Sequence, residues 1–489
     1  MNTNARTHVA AHSSVRISTA VNELLESNGT ERATRLLSES ADEIDNSFSR
    51  PKPLMWLRQD LTGQDNSDTD EQWTQWVETS HDSTLTGILR RYTTSPVIAE
   101  EATSKALEGI RFTHKDNIGI MGFPLTAGSP SLNRRESDCT SPLLLAIESA
   151  GGTLVGANHM AEFAMSPTGH NHWLGDGINP RNGRYLSGGS SSGSAIAVAT
   201  GASDVSLGTD TGGSVRLPAA FCGLVGYKPS NGLFSHVGLL PLSESLDTIG
   251  LIAPDVDTVR TTANVLFDDA DTVAPESRHR LDANHPANES QVSHLSAETA
   301  SRVCDMDVTR AYSAALQAIE QGTAPSVDFD DTELNRRSVA IVSVEAARNI
   351  GRILDWDWSL LGDQVLSRAI RGTAISAIEY ADAIACQADA QDEFVETVMA
   401  GSRFLLTPTS PILAPKAPDN GDMSSQQCRD DYMRASRFTR VINYLGLPAI
   451  TIPLPEAADS LSPGLQIIGR PFDDRELLDR AQAISQIVR

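Results

Sequence analysis

Apolar and polar positions along this chain switch between a helical and a strand period, and the switches mark its elements. Val21, Leu24 and Leu25 share one helical face, so residues 1–80 predict an N-terminal helical extension, broken by the polar, acidic run from Gln64 to Glu71. From about Ile110 to Pro229 the texture becomes short apolar strands, Gly-rich turns and Ala-rich helices. Ile118–Gly119, Thr153 to Ala157 and Val205 to Gly208 predict strand pieces. Pro142 to Ala150 predicts a helix stopped by Gly151–Gly152, which carry no Cβ to clash, and Ala195 to Ala202 predicts a small-residue helix. Further strands are expected at Ser338 to Ser343, Phe404 to Thr407, Ala449 to Pro453 and Leu465 to Ile468, with helices at Thr258 to Phe267 and Gln364 to Met399. Residues 271–298 are polar and aperiodic, which predicts a flexible surface insertion. No repeat or clear linker interrupts the alternation, so residues 81–489 are expected to form one α/β domain.

Charge narrows the partners. The 489 residues carry 39 basic and 63 acidic side chains, 39 − 63 = −24. Such a field repels phosphate backbones and anionic membranes, so neither nucleic acid nor a membrane is expected as a direct partner. Solubility is the plain reading of the acidity. Cys139, Cys222, Cys304, Cys386 and Cys428 are odd in number and widely spaced, which fits reduced thiols rather than a disulfide framework or a zinc site. The first residues, MNTNARTHVAAHSSVRISTAVNELL, lack a basic start followed by an apolar stretch, and no window reaches 18 apolar residues. A cytoplasmic protein is expected, with a homodimer left open.

The chemistry concentrates in two loops. Ser187 to Ser194 reads SGGSSSGS, and Gly208 to Arg216 reads GTDTGGSVR. Loops this rich in glycine and hydroxyls are costly to order unless the backbone needs shapes that only Gly allows. Together they could aim backbone N–H groups at one point, as an oxyanion or a phosphate requires. A phosphate loop is excluded, because Ser194 follows Gly193 directly and the required Lys is missing. Gly189 to Gly193 fits a GxSxG elbow centred on Ser191, but turn-formers precede it and no His follows His294. Ser49 to Lys52 fits SxxK without a KTG partner. His170 and His172 have no third ligand nearby and read as surface histidines, so no metal is expected.

The two loops, within GGSSSGSAIAVATG and LGTDTGGSVRLPAAFCGLVGYKPS, resemble the signature segment of the amidase-signature family. FTHKDNIGIMGFPLTAGS is similar to that family's lysine segment, and LGLPAITIPLP with GLQIIGRPFDDRELL to its C-terminal strands. The resemblance covers roughly residues 85–485. It implies an α/β fold with a large, mixed, twisted sheet flanked by helices on both faces, and a serine–cis-serine–lysine triad. On this chain the nucleophile falls on Ser214, the relay on Ser190 and the base on Lys115, with spacings 214 − 190 = 24 and 190 − 115 = 75. The peptide bond joining Gly189 to Ser190 is expected to be cis. Two positions depart: Ser187 stands where the family has Pro, and Ser192–Gly193 where it has two glycines.

Chemistry gives the same residues their roles. A serine hydroxyl needs a base within hydrogen-bond reach, and lysine serves only when neutral, hence desolvated. An extended Thr113 to Asp116 run would aim Lys115 into the site and turn His114 and Asp116 away. Oxyanion donors are expected from the main-chain N–H groups of Thr211, Gly212, Gly213 and Ser214, with Asp210 and Arg216 as scaffold and Ser191 as a secondary hydrogen-bond donor. The expected reaction is hydrolysis of an amide C–N bond in a small substrate through an acyl-enzyme, without a cofactor. Two alternatives stay open: a carbamate or ureide (allophanate-type) hydrolase, and the glutaminase (A) subunit of a tRNA-dependent amidotransferase. In the latter, an Arg and an Asp hold glutamine; here the resemblance keeps Arg368 but puts Ser436 at the acid's position.

Overall fold

Three neighbouring C-terminal strands show how the fold uses its period of two. On β9 (Phe404–Pro408), Phe404 and Leu406 join one buried cluster and Leu405 another. On β10 (Ala449–Pro453), Ile450 and Ile452 go one way and Ala449 the other, and β11 (Gly464–Gly469) sorts Leu465 and Ile467 from Ile468 in the same manner. A strand that is apolar on both sides must be covered on both faces. The first cluster includes side chains of the helices Val256–Asp268 and Asp474–Ile487; the second includes the helix Arg437–Tyr444.

The computed structural model describes residues 87–92, 104–132, 135–282, 292–320, 324–399, 401–418 and 426–488. The expected N-terminal helical extension, 1–80, lies outside them. The remaining strands are β1 (Ile88–Arg91), β2 (Arg111–Lys115), β3 (Thr153–Asn158), β4 (Val205–Asp210), β5 (Val225–Lys228), β6 (Thr248–Ala253), β7 (Val292–Leu295) and β8 (Ser326–Val327). All belong to one sheet of 11 strands, in the order β1-β3-β2-β4-β6-β5-β10-β11-β9-β7-β8. It is the large mixed sheet the sequence implied. β2 runs parallel to both β3 and β4, whereas β4, β6, β5, β10, β11 and β9 pair antiparallel in succession.

Two expectations are corrected. Ser338 to Ser343 is not a strand but part of the helix Thr332–Ile353. Its β-branched run looks strand-like, yet the buried positions Ile341, Ala346, Ala347 and Ile350 recur at helical spacing. Packing against neighbouring helices overrides the local preference. Residues 271–298 are not wholly a loose insertion either: they hold the helix Pro275–Leu281, and β7 pairs in parallel with β9. With only Val292 and Leu295 apolar, β7 is too short to show a period.

The helix Asp363–Ala374 crosses Thr332–Ile353 at Gly372, where an added Cβ would lie 2.0 Å from the Ser343 carbonyl oxygen and 2.7 Å from Ala347 Cβ. Gly372→Ala is therefore expected to push the helices apart and cost about 1–3 kcal/mol, the usual range for overpacking. Denaturant unfolding measures this, and an unchanged midpoint would show that the crossing adjusts freely.

Candidate active site

β2 and β4 are adjacent and parallel, so both end at one edge of the sheet, where ligands of open α/β sheets gather. Lys115 is the last residue of β2, and Thr209 and Asp210 close β4. The first Ser/Gly loop leads into the helix Ser192–Ala199, and the second leads from β4 into the helix Arg216–Phe221. Topology thus brings together segments that lie 75 and 94 residues apart in sequence.

Lys115 is fully buried. Its Nζ lies 2.7 Å from Ser190 Oγ, 2.7 Å from Thr209 Oγ1 and 3.5 Å from the Thr209 carbonyl oxygen. Burial pushes its pKa down to about 7, against the pull of the Asp247 and Asp210 charges. His114 and Asp116 do turn elsewhere: the His114 ring lies against Tyr92, and Asp116 takes Arg90 and Thr126. The Gly189–Ser190 peptide bond is cis. Ser191 Oγ donates to the Thr209 carbonyl (3.2 Å) and accepts from Thr209 N–H, which pins the loop to β4. The added hydroxyl of Ser192 meets His159 Nδ1 at 2.9 Å.

The second loop is shaped by Asp210. Arg216 approaches it with Nε and Nη2 at 3.0 and 2.9 Å, both side chains fully buried. The backbone N–H groups of Gly213, Val215 and Arg216 also donate to its carboxylate. Burial alone would raise its pKa, but the Arg216 charge, with Lys228 and Asn443, holds it well below the usual range. One expected role needs correction. The Gly213 N–H is taken by Asp210 Oδ1 at 2.7 Å, so it is not free to act as an oxyanion donor. Gly213 is required for another reason: its φ is 121°, and a Cβ would stand 2.1 Å from Thr439 Oγ1. Ser214 is the edge of this buried group, 9% exposed, and borders a cleft of about 140 Å³ that opens to solvent.

Several residues here were not legible in sequence. Thr209 Oγ1 is a second partner of Lys115. Asn117 Nδ2 reaches it at 3.3 Å, while Asn117 Oδ1 has no partner among the described residues. Turning that amide over would let Oδ1 accept the Thr209 hydroxyl proton. Asp247 accepts from Thr211 Oγ1 and from two backbone N–H groups, and burial raises its pKa to about 6. Glu162, raised by burial to about 7, joins Ser129 and Trp173 to Gly362 N–H at the start of the helix Asp363–Ala374. His170 is not a surface histidine: it is buried, with Nδ1 2.6 Å from Asp176.

A buried lysine–serine contact beside a second serine-bearing loop, at one edge of a mixed sheet, is the arrangement of the amidase-signature hydrolases, which act on C–N bonds. The sequence model of the Amidase family matches residues 82–478, and the chain belongs to that family. It is 32% identical over 417 residues to the (A) subunit of the glutamyl-tRNA(Gln) amidotransferase of Halobacterium salinarum, covering 79% of this chain and 97% of that protein. Among solved structures, a crystal structure of an amidase superposes with a TM-score of 0.67 at 26% identity, covering 78% of this chain and 85% of that one. The corresponding glutamyl-tRNA(Gln) amidotransferase protein of Thermotoga maritima gives 0.65 at 27% identity, covering 83% and 89%. These relatives correct the expectation about partners. A chain acting alone on a small amide, with no nucleic acid in view, does not fit relatives named as components of an enzyme of glutamyl-tRNA. Net charge describes the whole surface, and it excludes neither a partner protein nor a nucleic acid held by one. Among the described residues no helix is long and apolar enough to cross a membrane.

The burial of Lys115 has a direct consequence. Its amine is expected to titrate near pH 7, far below an ordinary lysine. NMR of the lysine ε-carbons, with Lys115→Arg to assign the signal, reads this; a midpoint above pH 9 would mean that water reaches the site.

Proposed function

We propose that this chain is the amide-cleaving component of an amidotransferase-type assembly, releasing ammonia from a carboxamide through an acyl-enzyme on Ser214. The observation that carries the reading is the Lys115–Ser190 contact of 2.7 Å in a fully buried setting beside the Ser214 loop. The relatives supply the rest: the chain spans nearly the whole length of a glutamyl-tRNA(Gln) amidotransferase component. A cytoplasmic setting fits the described cysteines Cys139, Cys222, Cys304 and Cys386, which are free thiols.

In this reading Lys115 starts neutral, and its nitrogen then has two N–H donors and one lone pair. The donors go to Thr209 Oγ1 and the Thr209 carbonyl, and the lone pair takes the Ser190 proton. Ser190 in turn takes the proton of Ser214 as Ser214 Oγ bonds to the amide carbon. The oxyanion faces the N–H groups of Thr211, Gly212 and Ser214, a class of donor worth about 2.7–4 kcal/mol each. The proton returns through Ser190 to the leaving nitrogen, the C–N bond breaks and ammonia departs. Water then cleaves the acyl–Ser214 ester to a carboxylic acid. A second reading, a free-standing amidase, is favoured by one observation: Ser436 borders the cleft where the resemblance expects the acid that holds glutamine.

Ser214→Ala is expected to lower ammonia release by roughly 10⁴-fold, the scale of triad removals elsewhere; retention of a few per cent would remove Ser214 from the role. kcat/KM should rise with pH through about 7 and level off above it, because only neutral Lys115 accepts a proton. Lys115→Arg should be inactive. Ser190→Ala should cost orders of magnitude and Ser191→Ala much less. For the assembly, extract from cells lacking the chain should regain conversion of glutamyl-tRNA(Gln) to glutaminyl-tRNA(Gln) with the wild-type protein and not with Ser214→Ala. Regain with Ser214→Ala, or none with wild type, leaves the free-standing amidase.

A further inference from the structure

Two buried carboxylates stand behind the nucleophile loop, and they are held differently. Asp210 is paired with a cation, Arg216. Asp247, 4% exposed, takes three donors that are all neutral: Thr211 Oγ1 at 2.5 Å and the N–H groups of Leu242 and Ser243 at 2.8 and 3.0 Å. These donors offset only part of the cost of burying a charge, a cost that an amide side chain in the same place would not carry.

Strand order explains where Asp247 lies. β2, β4 and β6 are neighbours, and Asp210 on β4 is opposite Thr248 on β6, which sets Asp247 beside Thr211. Lys115, from β2, holds the hydroxyl of Thr209, and Asp247 holds that of Thr211 two residues further on. Two residues of extended chain span roughly 7 Å, so the two buried charges flank one strand end without touching. The loop before Asp247 is itself fastened. Glu345, on the helix Thr332–Ile353, accepts from the hydroxyls of Ser243 and Ser245. The other charges around this end of the sheet have partners of their own: Asp116 has Arg90, Asp210 has Arg216 and Glu244 has Arg348. Lys228 donates to the Pro229 and Leu447 carbonyls. On the cleft side Arg440 donates to Ser436 Oγ at 2.5 Å, and its Cγ lies 3.7 Å from where a Cβ on Gly212 would be.

We propose that Asp247 is a positioning residue of this site: it holds Thr211, and with it the oxyanion side of the nucleophile loop, and its charge supports Lys115 while Lys115 carries the serine proton. The inference rests on the reading of Ser214 as nucleophile and Lys115 as base, and not on the assembly. When Lys115 takes the proton, a positive charge forms where burial disfavours it. A fixed negative charge across the strand end lowers that cost, and because it does not bond to Nζ it leaves the lone pair free. Burial raises the Asp247 carboxyl to about 6, so it is ionised at the pH where Lys115 is neutral. Its pull on Lys115 opposes that of burial and keeps the amine near the working pH, where a general base serves best.

Labelling of Ser214 by a fluorophosphonate reads the site without a chosen substrate, because attack on phosphorus uses the same base and the same oxyanion donors. The second-order rate constant is measured against pH on the full chain. Asp247→Asn keeps the shape of the side chain and removes its charge. It is expected to move the acid limb of the profile to lower pH by about 0.5–1.5 units, the size of one partly screened charge roughly 7 Å away. The plateau should fall as well, since the base is weaker. Thr211→Val keeps the charge and removes the tie, and should slow labelling about 10- to 100-fold, less than the loss of a whole donor. Thr211→Ser should restore most of the rate. An acid limb that stays in place or moves to higher pH in Asp247→Asn overturns the proposal, however far the rate falls. If that variant does not fold, Thr211→Val labelled as fast as Thr211→Ser overturns it instead. A wild type that is not labelled at any pH overturns the reading of Ser214 itself, whereas a labelled wild type with an unmoved limb overturns this inference alone.

Discussion

The buried Asp210–Arg216 pair is the contact on which the site depends. Asp210 ends β4, and its carboxylate gathers the next loop through the N–H groups of Gly213, Val215 and Arg216. Arg216 then carries the same connection outward, to Gln466 on β11, to the Thr439 carbonyl and to Asn443 on the Arg437–Tyr444 helix. Asn443 returns to the Asp210 backbone and side chain. A loop from the middle of the chain is thereby fixed to elements more than 220 residues later. Such a pair need not add much stability over an apolar replacement, but removing one partner leaves a buried charge and costs about 3–5 kcal/mol. Its value is shape: it holds one turn of backbone with the Thr211, Gly212 and Ser214 N–H groups unclaimed by Asp210.

Lys115 is the counterpart on the other strand. Its burial is unfavourable to the charged form, and the protein meets that cost with hydroxyl and carbonyl partners rather than with a carboxylate in contact. Asp247 and Asp210 are near enough to pull its pKa upward, and burial outweighs them. A carboxylate bonded to Lys115 would keep it charged and useless as a base. The two strands therefore use opposite solutions side by side: β4 ends on a charge that is fully paired, and β2 on one that is pushed toward neutrality.

How much of this the sequence could show follows from the range of each interaction. The Ser/Gly loops and the lysine segment were legible because their composition is local and unusual, and the cis bond at Ser190 came with the resemblance. Strands such as Ala449–Pro453 were legible because apolar runs bounded by turn-formers mark them. Gly213 was misassigned as an oxyanion donor, although the Asp210 three residues earlier was the signal, since a side chain of that kind often takes the N–H of a nearby residue further along. Thr209, Asn117, Asp247 and Arg440 carry no such mark. Their place beside the loops is set by strand order and helix crossing. The same holds for Ser338 to Ser343, whose local preference for a strand lost to packing on both sides of a helix.

The cleft separates what membership of a family settles from what it leaves to the individual chain. In the proposed reading the Lys115, Ser190 and Ser214 constellation handles a carbonyl, and any amide, carbamate or ureide presents one, so the constellation says little about the rest of the substrate. The cleft beside Ser214 is lined from the helices Asp363–Ala374 and Arg437–Tyr444. The second of these is bound to the nucleophile loop through Thr439 and Asn443, so its register cannot shift without disturbing the loop. Residues 436 and 440, one turn apart at its start, are consequently held in a fixed position relative to the Ser214 loop. A change of side chain there alters the charge offered to the substrate and leaves the backbone around Ser214 as it was. This is the physical route by which a chain can keep the chemistry of its relatives and part from them in the molecule it takes.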